Sequence, residues 1–161
     1  MKTIKMKKVL IALDYNSTAQ KVAELGFSMA KAMNVKIILL HVISDPVYYS
    51  STGYTPLMGS TDFMNMDPLY IGNLEELKKA SQHFLDKSKQ HLRDKTIQTL
   101  LKEGDIAETI LKTANDLHVD LIVMGSHSQK WLENILMGSV TEKVLHHTSI
   151  PLVIIPTKQI K

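Results

Sequence analysis

Glycine and hydroxyl residues recur at fixed spacing in the stretch Leu121 to Val140, LIVMGSHSQKWLENILMGSV. Its first residues form a short apolar run, typical of a parallel strand buried on both faces, and Gly125 ends that run. Gly138 then precedes a helical pattern in which Ser139 and Glu142 have the Ser-x-x-Glu spacing of a capping box. A helix N-terminus preceded by glycine presents free backbone N–H groups and the positive end of the helix dipole. The stretch is therefore suited to binding a phosphate.

Several other chemistries are excluded by motifs that the sequence lacks. It contains no G-x4-G-K-[ST] P-loop, no G-x-G-x-x-G after the first predicted strand and no G-x-S-x-G nucleophile elbow. The absence of cysteine removes disulfides, thiol catalysis and Cys-ligated metal sites. His146 and His147 are adjacent, so on a helix they diverge by about 100° instead of sharing a face as a metal pair does. No general base is identified.

The elements that position this stretch alternate along the chain. Apolar runs predict strands at residues 9–13, 36–42, 96–101, 121–124 and 152–155. Amphipathic patterns predict helices over residues 19–33, 74–92, 106–117 and 139–147. Ser17 with Gln20 has the spacing of a second capping box, and Asp105 is a predicted cap before the third helix. Residues 44–70 show no sustained period and are predicted to form a long loop, either ordered or covered by a partner.

This alternation predicts an α/β fold with a parallel five-stranded sheet and helices on both faces. Ligands of such sheets bind at the carboxyl ends of the strands, where the winding direction reverses. Asp14 and Gly125 each follow or end a predicted strand. If those two strands are neighbours, both residues meet at that point of reversal.

The stretch resembles the nucleotide loop of the universal stress protein family, whose ATP-binding members carry G-x2-G-x9-G-[S/T]. The same spacing occurs here, and the residue types match the family's at three of the four positions. These positions are Gly125, Ser128, Gly138 and Ser139. The resemblance extends over nearly the whole chain, from IALD at residues 11–14 through His41 and Val42 to the terminal PLVIIP. Ser128 stands where the family's ATP binders have their second glycine, and its side chain can either crowd a phosphate or donate a hydrogen bond to it.

The resemblance implies a Rossmann-like sheet in the order 3-2-1-4-5 and an adenine-nucleotide site. Asp14 is expected to hold ribose hydroxyls or a magnesium ion serving the phosphates; the alternative is an acid that flanks a helix and is stabilised by its dipole. Contacts to adenine are implied for residues that would otherwise be interpreted as core, Ala12, Leu13, Val42 and Met124. The phosphate-binding candidates, whose alternative is a structural turn with an ordinary N-cap, are Gly125, Ser126, His127, Ser128, Gly138, Ser139, Val140 and Thr141. Lys130 is expected either to screen a triphosphate or to point into water.

In functional terms the resemblance implies a homodimeric regulatory or stress-response module that binds ATP, or else AMP or ADP, with or without Mg as the accompanying ion. The implied dimer pairs the strand Leu152 to Ile155 with its copy. A second hypothesis is a family member that does not bind ATP and acts through protein contacts, with loop 44–70 as its docking surface. A third is a weak ATPase, for which the sequence offers no general base.

Composition sets the remaining expectations. A chain of 161 residues with 44% hydrophobic and 22% charged residues fits one globular domain over 1–161. The net charge of +3 is expected to reflect a solvated lysine-rich N-terminus and no specific nucleic-acid surface. Apolar runs fall far short of the ~20 residues that span a bilayer, and the first residues lack a secretory h-region. A cytoplasmic location without a membrane partner is expected.

Overall fold

A computed structural model describes residues 2–44, 74–126 and 138–157. In these segments strands and helices alternate in the order β1 (Lys8–Ala12), α1 (Ala19–Met33), β2 (Lys36–Ile43), α2 (Leu74–Leu92), β3 (Gln98–Glu103), α3 (Ile106–Asp116), β4 (Leu121–Gly125), α4 (Ser139–His147) and β5 (Leu152–Ile155). The five strands form one parallel sheet in the order β3-β2-β1-β4-β5. The predicted fold class and strand order are confirmed.

The point of reversal lies between β1 and β4. From β1 the chain winds outward through β2 to β3, and it then returns to the other side of β1 to form β4 and β5. Leu10 of β1 is in register with Ile38 of β2 and Ile122 of β4. The carboxyl ends of β1 and β4 therefore lie side by side, with Asp14 just beyond one strand and Gly125 at the end of the other.

Two apolar layers cover the sheet because successive side chains of a strand point to opposite faces. Ile11, Leu39 and Val123 pack in the layer that includes residues of α1 and α2. Their chain neighbours pack in the layer that includes residues of α3 and α4. Coverage of both faces explains why the strands are apolar throughout. No helix in the described segments is both long and apolar enough to cross a membrane.

The first helix does not begin with the predicted capping box. Its N-cap is Thr18, which makes no side-chain capping bond. Asn16 organises this turn instead, since its Oδ1 accepts hydrogen bonds from the backbone N–H of Thr18 at 2.8 Å and from the Thr18 hydroxyl. Gln20 Nε2 donates to Glu24 at 2.9 Å. The Ser17–Gln20 capping box was therefore wrong.

Other element boundaries depend on local turns in the same way. The third strand was predicted from Thr96, but Thr96 belongs to a turn in which its N–H donates to Asp94 Oδ1 at 2.9 Å, and β3 begins at Gln98. The predicted cap at Asp105 is confirmed, since its Oδ1 accepts from the Glu108 N–H at 2.9 Å. Asn34 ends α1 in the left-handed conformation with φ 54°.

Candidate functional site

Asp14 lies in the turn between β1 and α1, with its side chain exposed. Its Oδ1 accepts a hydrogen bond from the Tyr15 N–H at 2.8 Å, and its Oδ2 accepts from Asn16 Nδ2 at 3.3 Å. These two bonds fix the direction of the carboxylate. An ionised carboxylate has about four acceptor positions, so it retains capacity for a ligand hydroxyl or a cation.

The N-terminus of α4 is fastened to the end of β4 by two hydrogen bonds. The Thr141 hydroxyl donates to the Gly125 carbonyl at 2.9 Å, and the Gly138 N–H donates to the Ser126 carbonyl at 3.3 Å. Thr141 is buried, with 2% of its surface exposed. Its side chain therefore positions the helix start through the backbone of Gly125.

Among the described residues, the start of α4 has no side-chain cap. Gly138 is the N-cap residue, with φ −72° and ψ 161°, and Ser139 is the first helical residue. The predicted Ser139–Glu142 capping box was therefore wrong. The first N–H groups of a helix have no intrahelical acceptor. No residue in segments 2–44, 74–126 and 138–157 accepts from those at the start of α4, which suits them to an anionic ligand at the carboxyl end of β4.

Ser126 connects this end of β4 to the edge strand β5. Its N–H donates to the Ile155 carbonyl at 2.9 Å, and its Oγ accepts from the Thr157 N–H at 3.0 Å. The hydroxyl of Ser126 is thereby engaged with the residues that follow β5. Ser126, a residue of the predicted phosphate site, is therefore bonded directly to the end of β5.

The residues predicted to surround adenine divide between the two faces of the sheet. Ala12, Val42 and Met124 pack in the layer of α3 and α4. Leu13 packs in the opposite layer. Its N–H donates to the Leu40 carbonyl at 2.8 Å, and its carbonyl oxygen lies 2.8 Å from His41 Nδ1. The structure therefore brings the first three together and directs the Leu13 side chain elsewhere. His127, Ser128 and Lys130 lie outside the described residues.

A cleft of about 740 Å³ opens beside the start of α4. It shares two predicted site residues, Ser139 and Val140, and extends toward the carboxyl ends of β2 and β3. The residues that line it are Ile43, Ser44, Leu74, Glu103, Gly104, Asp105, Ile106, Ala107, Ser139, Val140 and Lys143. The sequence did carry a signal for this extension. Gly104 and Asp105 directly follow a strand, as Asp14 does, and the carboxyl ends of parallel strands share one edge.

Charges at the β3 side of the cleft are paired. Lys143 Nζ lies 3.3 Å from Asp105 Oδ1 and 3.6 Å from Glu108 Oε1, and Lys78 Nζ lies 2.7 Å from Glu103 Oε1. The hydrogen bond from the Glu108 N–H holds the pKa of Asp105 below its ordinary value. The hydrogen bond with Asp105 raises the pKa of Lys143. The cleft thus has carboxylates on its β3 side and helical N–H groups on its α4 side.

His41 supports the turn that carries Asp14. It is 3% exposed, its ring meets those of Tyr15 and Phe84 edge-on at 5.7 Å, and its Nδ1 lies 2.8 Å from the Leu13 carbonyl oxygen. The carbonyl can only accept, so His41 Nδ1 carries the proton and donates. Burial lowers the pKa of His41, against the opposing effects of the Leu13 carbonyl and the Asp14 charge.

The lowered pKa of His41 predicts a pH-dependent stability. The unfolded chain binds a proton near pH 6.5, whereas the folded chain binds it at a lower pH. Stability is therefore full above pH 6.5 and declines as the pH falls through and below that value, by at most about 1.4 kcal/mol per pH unit. Urea unfolding at pH 7.5 and 5.5 measures this decline. His41→Gln, which keeps an N–H donor without titrating, should reduce it.

The exposed His146 provides the control for this experiment. His146→Gln makes the same change on the surface of α4 and should leave the decline as it is in the original chain. An equal decline in His41→Gln and the original chain would show that His41 is not the responsible group.

The fold and this geometry define a parallel α/β protein with an open cleft at the carboxyl edge of its sheet, beside the start of α4. The model of the Universal stress protein family matches residues 5–156, and the chain belongs to that family. Universal stress protein MJ0577 of Methanocaldococcus jannaschii is 28% identical over 165 residues, covering 97% of this chain and 98% of the relative. The solved structure of MJ0577 gives a TM-score of 0.69 at 27% identity and covers 97% of this chain and 99% of its own.

Two further solved structures share the fold and were determined with ligands. A universal stress protein in complex with cAMP gives a TM-score of 0.67 at 15% identity, with coverage of 96% of this chain and 100% of that one. The universal stress protein from Archaeoglobus fulgidus in complex with dAMP gives 0.59 at 16% identity, with coverage of 94% and 99%. At these identities the likeness is one of fold.

Proposed function

We propose that this chain binds an adenine nucleotide, ATP first among them, at the carboxyl ends of β1 and β4. The observation that carries the proposal is the meeting of Asp14, Gly125 and the uncapped start of α4 at the reversal point of the sheet. A carboxylate suited to hydroxyl groups and a helix N-terminus suited to phosphate then stand at one edge, which is the combination that a nucleotide requires.

The two ligand-bound relatives support the choice of ligand class. Both cAMP and dAMP combine adenine, a sugar and a phosphate, and both are held on the fold that this chain shares. Ala12, Val42 and Met124 are buried in one apolar layer near the carboxyl ends of their strands, and we propose that the adenine base contacts this layer. The proposed site comprises these residues with Asp14, Gly125, Gly138, Ser139 and Val140.

Magnesium fits this proposal in a limited way. No group of three or more metal-ligating side chains occurs among residues 2–44, 74–126 and 138–157. Mg²⁺ typically binds through one or two carboxylates together with substrate phosphates and water. Asp14, with unused acceptor positions, is the residue that would hold such an ion when a nucleotide supplies the remaining ligands.

The expected regulatory role depends on the edge strand β5. Within the described segments β5 pairs with β4 alone, and Leu152, Val153 and Ile154 are only half-buried. An apolar strand edge invites pairing with a second chain. We propose that β5 pairs with its copy in a homodimer, and that Ser126 links nucleotide binding to that interface. The docking role suggested for loop 44–70 rests on sequence, because residues 45–73 lie outside the described segments.

Identification of any co-purified nucleotide tests the proposed function most directly. Mass spectrometry of the heat-extracted protein is expected to detect an adenine nucleotide, and calorimetry with magnesium is expected to give micromolar affinity for ATP. No ligand and no heat at millimolar ATP would overturn the proposal and favour the nucleotide-free interaction module. Ser128→Gly should then restore binding if Ser128 is the cause. ATP turnover well above background that Asp14→Asn removes would indicate an enzyme.

A further inference from the structure

Ser44 lines the cleft, but the proposed phosphate site assigns no role to it. It follows β2 directly. Its Oγ is buried and has no hydrogen-bond partner in the described part of the chain. Native proteins satisfy nearly all buried polar groups, because an unpaired one lowers stability. An unpaired hydroxyl at the wall of a ligand cleft therefore indicates a partner that arrives with the ligand.

The charges around Ser44 determine which part of a nucleotide it meets. Glu103 and Asp105 line the same cleft at the end of β3. The lysines that pair with these carboxylates are already engaged, so this side of the cleft is a poorer place for a phosphate than the start of α4. The N–H groups that favour phosphate belong to the start of α4. Ser44 lies two residues beyond Val42, so a nucleotide with its phosphates at α4 and its base at Val42 brings its uncharged nucleoside part toward Ser44.

We propose that Ser44 is a binding residue that hydrogen-bonds to the nucleoside part of the ligand. The inference rests on the proposed function. A serine hydroxyl donates and accepts, so it can serve a sugar hydroxyl or a base edge. Its side chain has one rotatable bond to Oγ, and a change of rotamer brings the hydroxyl to a partner that the ligand supplies. Ser44 thereby adds affinity that depends on the nucleoside and not on the length of the phosphate chain.

The chain contains a matched control in Ser81 of α2. The Oγ of Ser81 is also buried without a hydrogen-bond partner among the described residues. Ser81 is 0% exposed and lies two turns along α2 from Leu74, the residue with which that helix lines the cleft. Ser44→Ala and Ser81→Ala therefore remove the same buried group and differ in its position.

The test measures ATP affinity by calorimetry, AMP affinity by competition and thermal unfolding of the nucleotide-free protein. Ser44→Ala is expected to weaken ATP and AMP by the same factor, about five- to tenfold, as fits one hydrogen bond. The melting temperature without nucleotide should not fall, because an unpaired group has been removed. Ser81→Ala should leave both affinities unchanged.

Each other outcome overturns the inference in a distinguishable way. If the original chain binds ATP and Ser44→Ala binds it equally well, the inference fails and the proposed function stands. A melting temperature lowered by Ser44→Ala would show that the hydroxyl has a partner within the protein. Weaker binding of ATP with unchanged binding of AMP would place Ser44 at the phosphates. If the original chain binds no nucleotide, the proposed function fails and this inference fails with it.

Discussion

Gly138→Val is expected to abolish nucleotide binding and to leave the fold intact. Gly138 precedes α4 with φ −72° and ψ 161°, a conformation that valine adopts without strain. The added side chain stands where an anion must approach the N–H groups of Ser139 and Val140. A clash of this kind weakens binding by on the order of 100-fold or more, which leaves a micromolar site effectively empty. Calorimetry with ATP and magnesium measures the loss, and circular dichroism with thermal unfolding checks the fold.

Gly138→Ala tests a smaller side chain at the same position. It adds one methyl group and should weaken ATP by less than valine does. Unchanged affinity in Gly138→Val would remove the start of α4 from the site. A loss of folded structure in Gly138→Val would show that the buried glycine is required by packing, and Gly138→Ala would then carry the test of binding.

The strand positions followed from the sequence, but their order did not. Each strand is apolar on both faces. The residues of β1 therefore do not indicate that its neighbours in the sheet are β2 and β4, or that β3 is not one of them. The order came from the family resemblance and is confirmed. Successive strand residues alternate, so Ala12 and Leu13 were bound to face opposite layers, but the apolar run concealed which layer each one faces, because alternation identifies the faces only when one of them is wet.

The remaining differences between prediction and structure concern a local turn and a cleft formed by residues far apart in the chain. Ser17 had the spacing of a cap, but Asn16 supplied the hydrogen bonds of that turn, and spacing alone does not rank the two. The cleft was missed because it joins residues far apart in the chain, Ser44, Asp105 and Lys143. Asp105 was recognised only as a helix cap, and Ser44 and Lys143 belong to no recognisable motif. The strand order brings them together at one edge, and that order was not readable from the residues.

Gly26→Leu is expected to have the largest effect on stability. Gly26 lies in α1 where the helix packs on the sheet, and a Cβ at this position would stand 2.9 Å from Ile11 Cδ1, 3.1 Å from Ile11 Cγ1 and 3.3 Å from Val123 Cγ1. Ile11 and Val123 are fully buried, so they have little room to move. A leucine adds three further carbons in the same place. We expect a loss of roughly 3 kcal/mol or more in the free energy of unfolding, at the upper end for overpacking.

Ala32→Leu is the control, because it enlarges an exposed residue of the same helix and should change stability by less than about 0.5 kcal/mol. Urea unfolding followed by circular dichroism measures both variants, and equal stability would show that the contact between α1 and the sheet is loose.

The contact between α1 and the sheet also affects the proposed nucleotide site. Ile11 and Val123 are register partners across β1 and β4, a short way before Asp14 and Gly125. A side chain at Gly26 therefore presses on the pair of strands whose ends hold the proposed nucleotide, and any folded Gly26→Leu should also bind ATP more weakly.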